Sequence, residues 1–264
     1  MVCAIVINTC PKYFYLLEVH FALLRRYAPT LNWPVYLATE RPDDFMIQRL
    51  KVTYNINIIP LADKNSDFFE SRLAAMKALP QEIRYVLPLQ EDFLLERPGA
   101  DIAALENALE ILEADKDVLS LRLMPCPGSS GKEGYWGKWK KLLGSDMIFS
   151  YQATIWRREV YTDYMGGLIQ QRIQLHPDLE RSKYNWYAVT VNPAETFPGL
   201  QLLKLMYPTG IHLCWPRVGT WANAVYQSPW PYRPTAVVKG RLEDWAGELA
   251  QREGFYLSGG PSER

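Results

Sequence analysis

Tyr85-Val86-Leu87-Pro88-Leu89-Gln90-Glu91-Asp92-Phe93-Leu94-Leu95 carries an apolar run into an abrupt pair of carboxylates, after which the apolar run resumes at once. Such a run reads as a buried parallel strand that ends at the edge of a sheet. Two adjacent acids at that edge are costly to bury, so they are expected to face a ligand, a metal or water. In open α/β sheets ligands collect just beyond the carboxyl ends of strands. An acidic pair there suits a divalent cation carrying a diphosphate, because hard cations take carboxylate oxygens and bridge phosphate oxygens. The plainer alternative is that Glu91 and Asp92 cap the next element.

The pattern around this stretch is strand and helix in alternation. Val2 to Asn8 reads as a first strand, and Tyr13 to Tyr27 as a helix with Phe14, Leu17, Phe21 and Leu24 at helical spacing. Pro34 to Thr39 and Ile56 to Ile59 read as strands. Asp67 opens a helix to about Leu79 that Pro80 stops, and Arg84 to Leu89 is the strand into the acids. A helix over Asp101 to Ala114 and a strand over Val118 to Leu123 follow. Alternation over about 120 residues argues a parallel-type sheet covered by helices. The turn after the first strand is Asn8-Thr9-Cys10-Pro11-Lys12, with no glycine. It lacks the Gly-x-Gly-x-x-Gly fingerprint and the P-loop, so a glycine cradle for phosphates is not expected and the acidic pair gains weight.

The alternation breaks at Pro125. Pro125 to Leu143 reads as a long loop beside the sheet edge, a position suited to a lid. Met147 to Thr154 is strand-like and Ile155 to Leu168 helical, ending at Gly166-Gly167. A helix around Asp178 to Tyr184, strands at Tyr187 to Val191 and Leu202 to Met206, proline-rich loops and a last helix over about Leu242 to Arg252 complete the expectation. Most of the nine tryptophans and sixteen tyrosines fall in this second half. Sugar rings have apolar faces that pack on aromatic rings, so this composition suits a carbohydrate site, while an aromatic core accounts for most of these residues equally well.

Bulk properties narrow the classes. The 264 residues carry 29 basic and 29 acidic side chains, which argues against a nucleic-acid-binding surface. Cys3, Cys10, Cys126 and Cys214 form no Cys-x-x-Cys pair, and reduced thiols in a cytoplasmic protein are expected. No apolar run approaches ~18 residues, so no membrane span is expected.

Six segments, in order, resemble the GT-A type glycosyltransferases of a bacterial and large-DNA-virus group. They are Thr9-Cys10-Pro11-Lys12-Tyr13, Tyr36 to Glu40 ending in Thr39-Glu40, Glu70-Ser71-Arg72-Leu73, the acidic stretch Tyr85 to Leu95, Ser150 to Trp156, and Arg217-Val218-Gly219-Thr220-Trp221. Two departures stand out. Pro11 replaces an acidic residue of the opening motif, and Gln90-Glu91-Asp92 stands where Asp-x-Asp is commoner. The resemblance implies an α/β fold, a GT-A-like mixed and mostly parallel sheet flanked by helices, with an irregular, aromatic-rich C-terminal half. It implies one domain over 1–252, with a nucleotide-sugar-binding half (1–123) and an acceptor-side half (124–252), then a flexible tail over 253–264. The implied activity is transfer of a sugar from a nucleotide-diphosphate donor, UDP favoured, to a glycan acceptor.

That chemistry asks for stabilisation of the leaving diphosphate, a base for the acceptor hydroxyl, and an oriented sugar. Asp92 is the first choice for a divalent cation, Mn2+ or Mg2+, with Glu91 as helper and His212 as a further ligand by analogy with GT-A enzymes that use a C-terminal histidine. Arg72 is the candidate for a phosphate or sugar contact, the alternative being a surface arginine on an amphipathic helix. Thr9, Tyr13, Thr39, Glu40 and Gln90 complete the expected donor site, with Arg217 and Trp221 closing over it. The base is expected at Glu180, with Asp178 second, although both acids also suit the start of a helix after Pro177. A carboxylate base favours an inverting reaction. A nucleotidyltransferase acting on a sugar phosphate and a non-catalytic carbohydrate-binding protein are the alternatives.

Overall fold

The computed structural model describes residues 2–257 apart from 63–67, 126–127, 132–133, 144–150, 176–201, 218, 221–224, 234 and 239. The chain begins with β1 (Cys3–Asn8), every residue of which is buried. Side chains alternate across a strand, so Cys3, Ile5 and Ile7 join one core while Ala4 and Val6 join another on the opposite face. A single 3₁₀ turn, Pro11–Tyr13, leads into α1 (Phe14–Tyr27). Then come β2 (Val35–Thr39), α2 (Phe45–Tyr54), β3 (Asn57–Pro60), α3 (Phe68–Ala78), β4 (Tyr85–Gln90), α4 (Ile102–Ala114) and β5 (Val118–Arg122).

Beyond β5 lie β6 (Lys140–Lys141), β7 (Thr154–Arg157), α5 (Arg158–Leu175), β8 (Ile211–Cys214), the hairpin of β9 (Val237–Val238) and β10 (Arg241–Leu242), and α6 (Asp244–Arg252). The large sheet runs β3-β2-β1-β4-β7-β5-β8-β6. Strands β1 to β4 pair in parallel, β5 pairs in parallel with β8, and β7 and β6 run antiparallel to their neighbours. The architecture is therefore the mixed, mostly parallel, helix-flanked sheet expected. Helices α1, α2 and α4 pack on one face and α3 and α5 on the other. Helix α6 packs outside α1, on Val19 and Leu23.

Four expectations change. Helix α2 escapes the periodicity because it buries only Ile47 and Leu50; Asp44 caps its start and the left-handed Asn55 ends it. Ile155 and Trp156 belong to β7 rather than to a helix, because the strand fills the gap between β4 and β5, Trp156 lying opposite both Val86 and Ser120. Helix α5 starts at Arg158 and runs through Gly166-Gly167 instead of stopping there. A Cβ on Gly167 would stand 2.6 Å from Leu202 Cδ2, so the glycine admits the neighbouring segment 202–206. That segment is helical rather than extended: Leu203 is buried and Leu205 exposed.

The Pro125–Leu143 stretch is also more structured than a loop. It contains β6, and Trp139 is fully buried, donating from Nε1 to Asn107 Oδ1 at 3.1 Å and meeting Trp215 edge-on. Residues 253–257, expected to open a flexible tail, pack too. Glu253 accepts from the Tyr27 hydroxyl at 2.8 Å, and Phe255 and Leu257 lie on the α1–α6 core. Residues 178–191, where a helix and a strand were expected, lie outside the described residues.

Arg158 fastens α5 to the end of α3. Its guanidinium donates to the carbonyls of Met76, Leu79, Pro80 and Ile83. Its neighbour Arg84 makes an exposed ion pair with Glu113 and lies over the Tyr85 ring. Removing a donor that serves several half-buried carbonyls costs far more than removing an exposed pair. Arg158→Ala is therefore expected to lower unfolding stability in urea by roughly 2–4 kcal/mol, and Arg84→Ala by less than about 1 kcal/mol.

Candidate functional site

The carboxyl ends of β1, β2, β4 and β5 share one edge of the sheet, and the start of antiparallel β7 lies there too. Chain direction thus gathers Asn8, Thr39, Gln90, Arg122 and Thr154 at one rim. The Glu91-Asp92 pair sits in a tight turn just past β4, closed by Phe93 N donating to Gln90 O at 3.2 Å. Both acids are buried. Burial first, and the neighbouring Asp92 second, push Glu91 up to about 8. Burial raises Asp92 as well, against hydrogen bonds that favour its charged form.

Those bonds come from far along the chain. Thr235 Oγ1 donates to Asp92 Oδ2 at 3.0 Å, Val237 N lies 3.4 Å from the same oxygen, and Ala236 N donates to the Asp92 carbonyl at 3.1 Å. Thr235 holds φ at +50°, a left-handed conformation unfavourable for a β-branched residue. Asp92 Oδ1 has no hydrogen-bond partner among the described residues. One carboxylate oxygen is thus pinned while the other is buried without a described partner.

Arg72 decides between its two readings. It is 3 % exposed, which removes the surface-arginine alternative. Its Nη1 donates to Asn8 Oδ1 at 3.2 Å, its guanidinium lies 4.0 Å from the Phe68 ring centroid, and Nε has no partner among the described residues. Its charge draws both acids towards ionisation. Arg72, Gln90, Tyr151 and Gln152 line one small cavity with Trp156 and Tyr161.

The remaining expected positions are distributed unevenly. Thr9 is buried, its N donating to Ala38 O at 3.1 Å. Tyr13 ends the 3₁₀ turn, close enough to feel the charges of Glu91 and Asp92. Thr39 is fully buried, and its Oγ1 accepts from Arg41 N at 3.3 Å; Glu40 follows it, half-buried. His212 is not brought to the acids. It lies within β8, Nδ1 sharing a 2.8 Å hydrogen bond with Ser120 Oγ, its ring against Trp156. Burial and then Arg122 lower it to about 3. Arg217 is exposed beyond β8. Asp178, Glu180 and Trp221 lie outside the described residues.

Several neighbours of the pair carry no motif. His20, in the middle of α1, is lowered to about 4 by burial, against the bond to Glu91. It is therefore neutral, and its Nδ1–H donates to the Glu91 carbonyl at 3.0 Å. Tyr15 lies close enough to feel both carboxylates, and its hydroxyl has no partner among the described residues. Tyr232 stacks on Phe93, donates to Gln152 Oε1 at 2.5 Å and accepts from Ala153 N. Arg122, fully buried at the end of β5, is a second guanidinium at this rim. Only the alternation that makes β1, β4 and β5 parallel could have placed Asn8 and Arg122 here; Thr235 and Tyr232 had no signal.

A metal is not excluded by this donor set. Mg2+ and its relatives bind through one or two carboxylates and keep waters and substrate phosphates as further ligands. Asp92 Oδ1 and the Glu91 carboxyl fit that pattern. Among the described residues no group of three His, Cys, Asp or Glu side chains collects into an all-protein cation cage.

No protein-family model and no curated protein sequence matches the chain. Solved structures do, at low identity. Residues 1–349 of S. aureus TarS in complex with UDP match at 12% identity over 83% of this chain and 59% of that one, with a TM-score of 0.44. The glycosyltransferase GlyE of Streptococcus pneumoniae matches at 15% over 78% and 43%, TM-score 0.44. The 4-diphosphocytidyl-2C-methyl-D-erythritol synthase of Anaerococcus prevotii matches at 13% over 68% and 86%, TM-score 0.41. The chain spans less than two thirds of the TarS and GlyE chains. These likenesses concern the arrangement of sheet and helices and carry nothing about substrate.

The burial of Glu91 has a measurable pH signature. With its pKa at about 8 in the fold and ordinarily 4.5, Glu91 makes the unfolded chain hold fewer protons than the native one between these values. Stability therefore falls as pH rises through that window. His20 and His212, both lowered, act oppositely but only below their ordinary value of 6.5. Among the described carboxylates, Glu91 is the one whose raised value spans pH 6.5 to 8. Urea unfolding is expected to lose up to roughly 2 kcal/mol across that interval, and Glu91→Gln to flatten the slope.

Proposed function

We propose that this chain is a sugar-nucleotide-dependent glycosyltransferase that moves a sugar from a nucleoside-diphosphate donor, UDP favoured, to a glycan acceptor. The observation that carries it is the buried Glu91-Asp92 pair at the carboxyl end of the central strand β4, with Asp92 Oδ1 unpartnered among the described residues and a buried arginine charge beside it. A structural capping role does not need two carboxylates held out of water. A site for a cation and a diphosphate does.

In this reading Asp92, with Glu91, would hold a divalent cation. When bound, the cation supplies charge stabilisation for the leaving diphosphate. Thr235 and Val237 fix the orientation of Asp92, so its free oxygen faces a defined direction. Arg72, held by Asn8 and stacked on Phe68, presents a fixed positive charge for diphosphate or sugar oxygens. Thr9, Tyr13, Thr39, Glu40 and Gln90 form the donor wall, with Arg217 and Trp221 closing over the diphosphate or the acceptor. Glu180, or Asp178 in its place, takes the acceptor hydroxyl proton as that oxygen attacks the anomeric carbon from the face opposite the leaving diphosphate. Direct displacement of this kind inverts the anomeric configuration. Cytoplasmic residence suits a nucleotide-sugar donor. Among the described residues no helix is long and apolar enough to cross a membrane.

The test is release of nucleoside diphosphate from a panel of UDP-, GDP- and TDP-sugars, with and without manganese. Absence of both turnover and sugar-nucleotide binding across the panel would remove the proposal. Two substitutions are expected to fail differently. Asp92→Ala loses manganese-dependent donor binding together with turnover. Glu180→Gln retains donor binding, because charge at the diphosphate is untouched, and loses turnover by ~10²–10⁴-fold, the usual worth of a positioned base. Near-normal turnover in Glu180→Gln would move the base to Asp178 or elsewhere.

A further inference from the structure

Away from the acidic pair, four segments converge on an open cleft of about 790 Å³. Arg26 comes from the last turn of α1, Arg97 from the chain after β4, Arg233 from the segment before β9, and Arg252 from the end of α6. Two glutamates share the cleft. Glu96 accepts from Arg233 Nε at 3.1 Å and lies 3.6 Å from Arg252 Nη2. Glu253 pairs with Arg26, accepts from the Tyr27 hydroxyl, and lies 3.5 Å from Arg252 Nε. The two carboxyl side chains are only 3 % and 6 % exposed, whereas those of Arg26, Arg233 and Arg252 are 48 %, 37 % and 53 % exposed.

An ion-pair staple holding α6 to α1 would account for the glutamates and for some of the arginines. It does not account for the excess. Among the described residues four guanidinium groups face two carboxylates, leaving two positive charges around a cleft roomy enough for a ligand. Like charges brought together repel, and the cost is largest where walls exclude water. The carboxylates lie behind, fixing the orientation of the half-exposed guanidinium groups of Arg26, Arg233 and Arg252. Planar guanidinium forks match phosphate oxygens two at a time.

We infer that this cleft is a binding site for a phosphate-bearing ligand, separate from the acidic-pair site. Arg26 lies six residues past His20, about 9 Å along α1, where His20 meets the Glu91 carbonyl. The inference does not depend on glycosyl transfer. The phosphate could be carried by a soluble molecule or by a lipid headgroup, since both present the same oxygens.

Pyrophosphate titrated calorimetrically into the full chain in EDTA is the direct probe, with the Arg97→Gln/Arg252→Gln double variant as control. Both arginines are exposed, and the variant is expected to melt within a few degrees of the parent. The parent is expected to bind and the double variant to bind about tenfold or more weakly. Co-sedimentation with phosphatidylglycerol vesicles, absent with phosphatidylcholine and lost in the double variant, would support a headgroup as the source. Pyrophosphate binding without vesicle association would support a soluble one. Should the double variant melt early, Arg97→Gln by itself is compared with the parent. No binding by the parent at about 10 mM pyrophosphate and no vesicle association, or equal affinity in parent and arginine variant, overturns the inference.

Discussion

Asp92 is where the N-terminal sheet and the C-terminal segment are tied together. A carboxylate taken out of water is costly unless hydrogen bonds replace the lost hydration. Here one oxygen receives them from Thr235 and Val237, more than 140 residues away in sequence. The same segment adds a short ladder along the chain that leaves β4. Tyr232 bridges to Leu95, Pro231 O accepts from Glu96 N, and Arg233 pairs with Glu96. The turn bearing the acids is thus clamped from outside the sheet, and the site exists only when the C-terminal segment is in place.

This dependence explains the strained residue at the centre of the clamp. A threonine at φ +50° is disfavoured, and such strain persists where surrounding contacts over-determine it. Thr235 is held through its hydroxyl, whose one hydrogen lies between two acceptors, Asp92 Oδ2 at 3.0 Å and the Val237 carbonyl at 3.1 Å. The hairpin that follows turns at Gly240, φ +79°, and a Cβ there would stand 3.2 Å from Lys12 Nζ. The C-terminal hairpin therefore lies close over the turn that follows β1, so both ends of the chain border the acidic pair.

Apart from α2, the first half of the fold was legible because its strands are mainly apolar and its other helices bury a clear stripe, as with Leu17, Phe21 and Leu24 of α1. Strand β7 was not, since Ile155 and Trp156 run directly into an equally apolar helix and periodicity over four residues cannot separate the two. Segment 202–206 misled for the same reason. The acidic pair was legible from its position after an apolar run. Arg72 was legible as a residue, but its burial depends on α3 folding back over β1. Thr235 and Tyr232 sit in proline-rich sequence with no pattern, and only tertiary folding gives them a role.

Charge explains why the rim holds together with its acids buried. Arg72 and Arg122 are both buried at the carboxyl edge, and Tyr232 feels the charges of both Asp92 and Arg122. With Glu91 protonated up to about pH 8, the guanidinium charges of Arg72 and Arg122 outnumber the single Asp92 carboxylate among these four residues. That imbalance suits an anionic ligand such as a diphosphate. On the proposed function, a divalent cation would displace the Glu91 proton, as metal binding to protonated ligands requires. The cation brings two positive charges against the one that the newly ionised Glu91 carboxylate removes, so the rim would become more attractive to a diphosphate. Geometry changes as well: Asp92 Oδ1, held in a fixed direction by the Thr235–Val237 clamp, gains a partner.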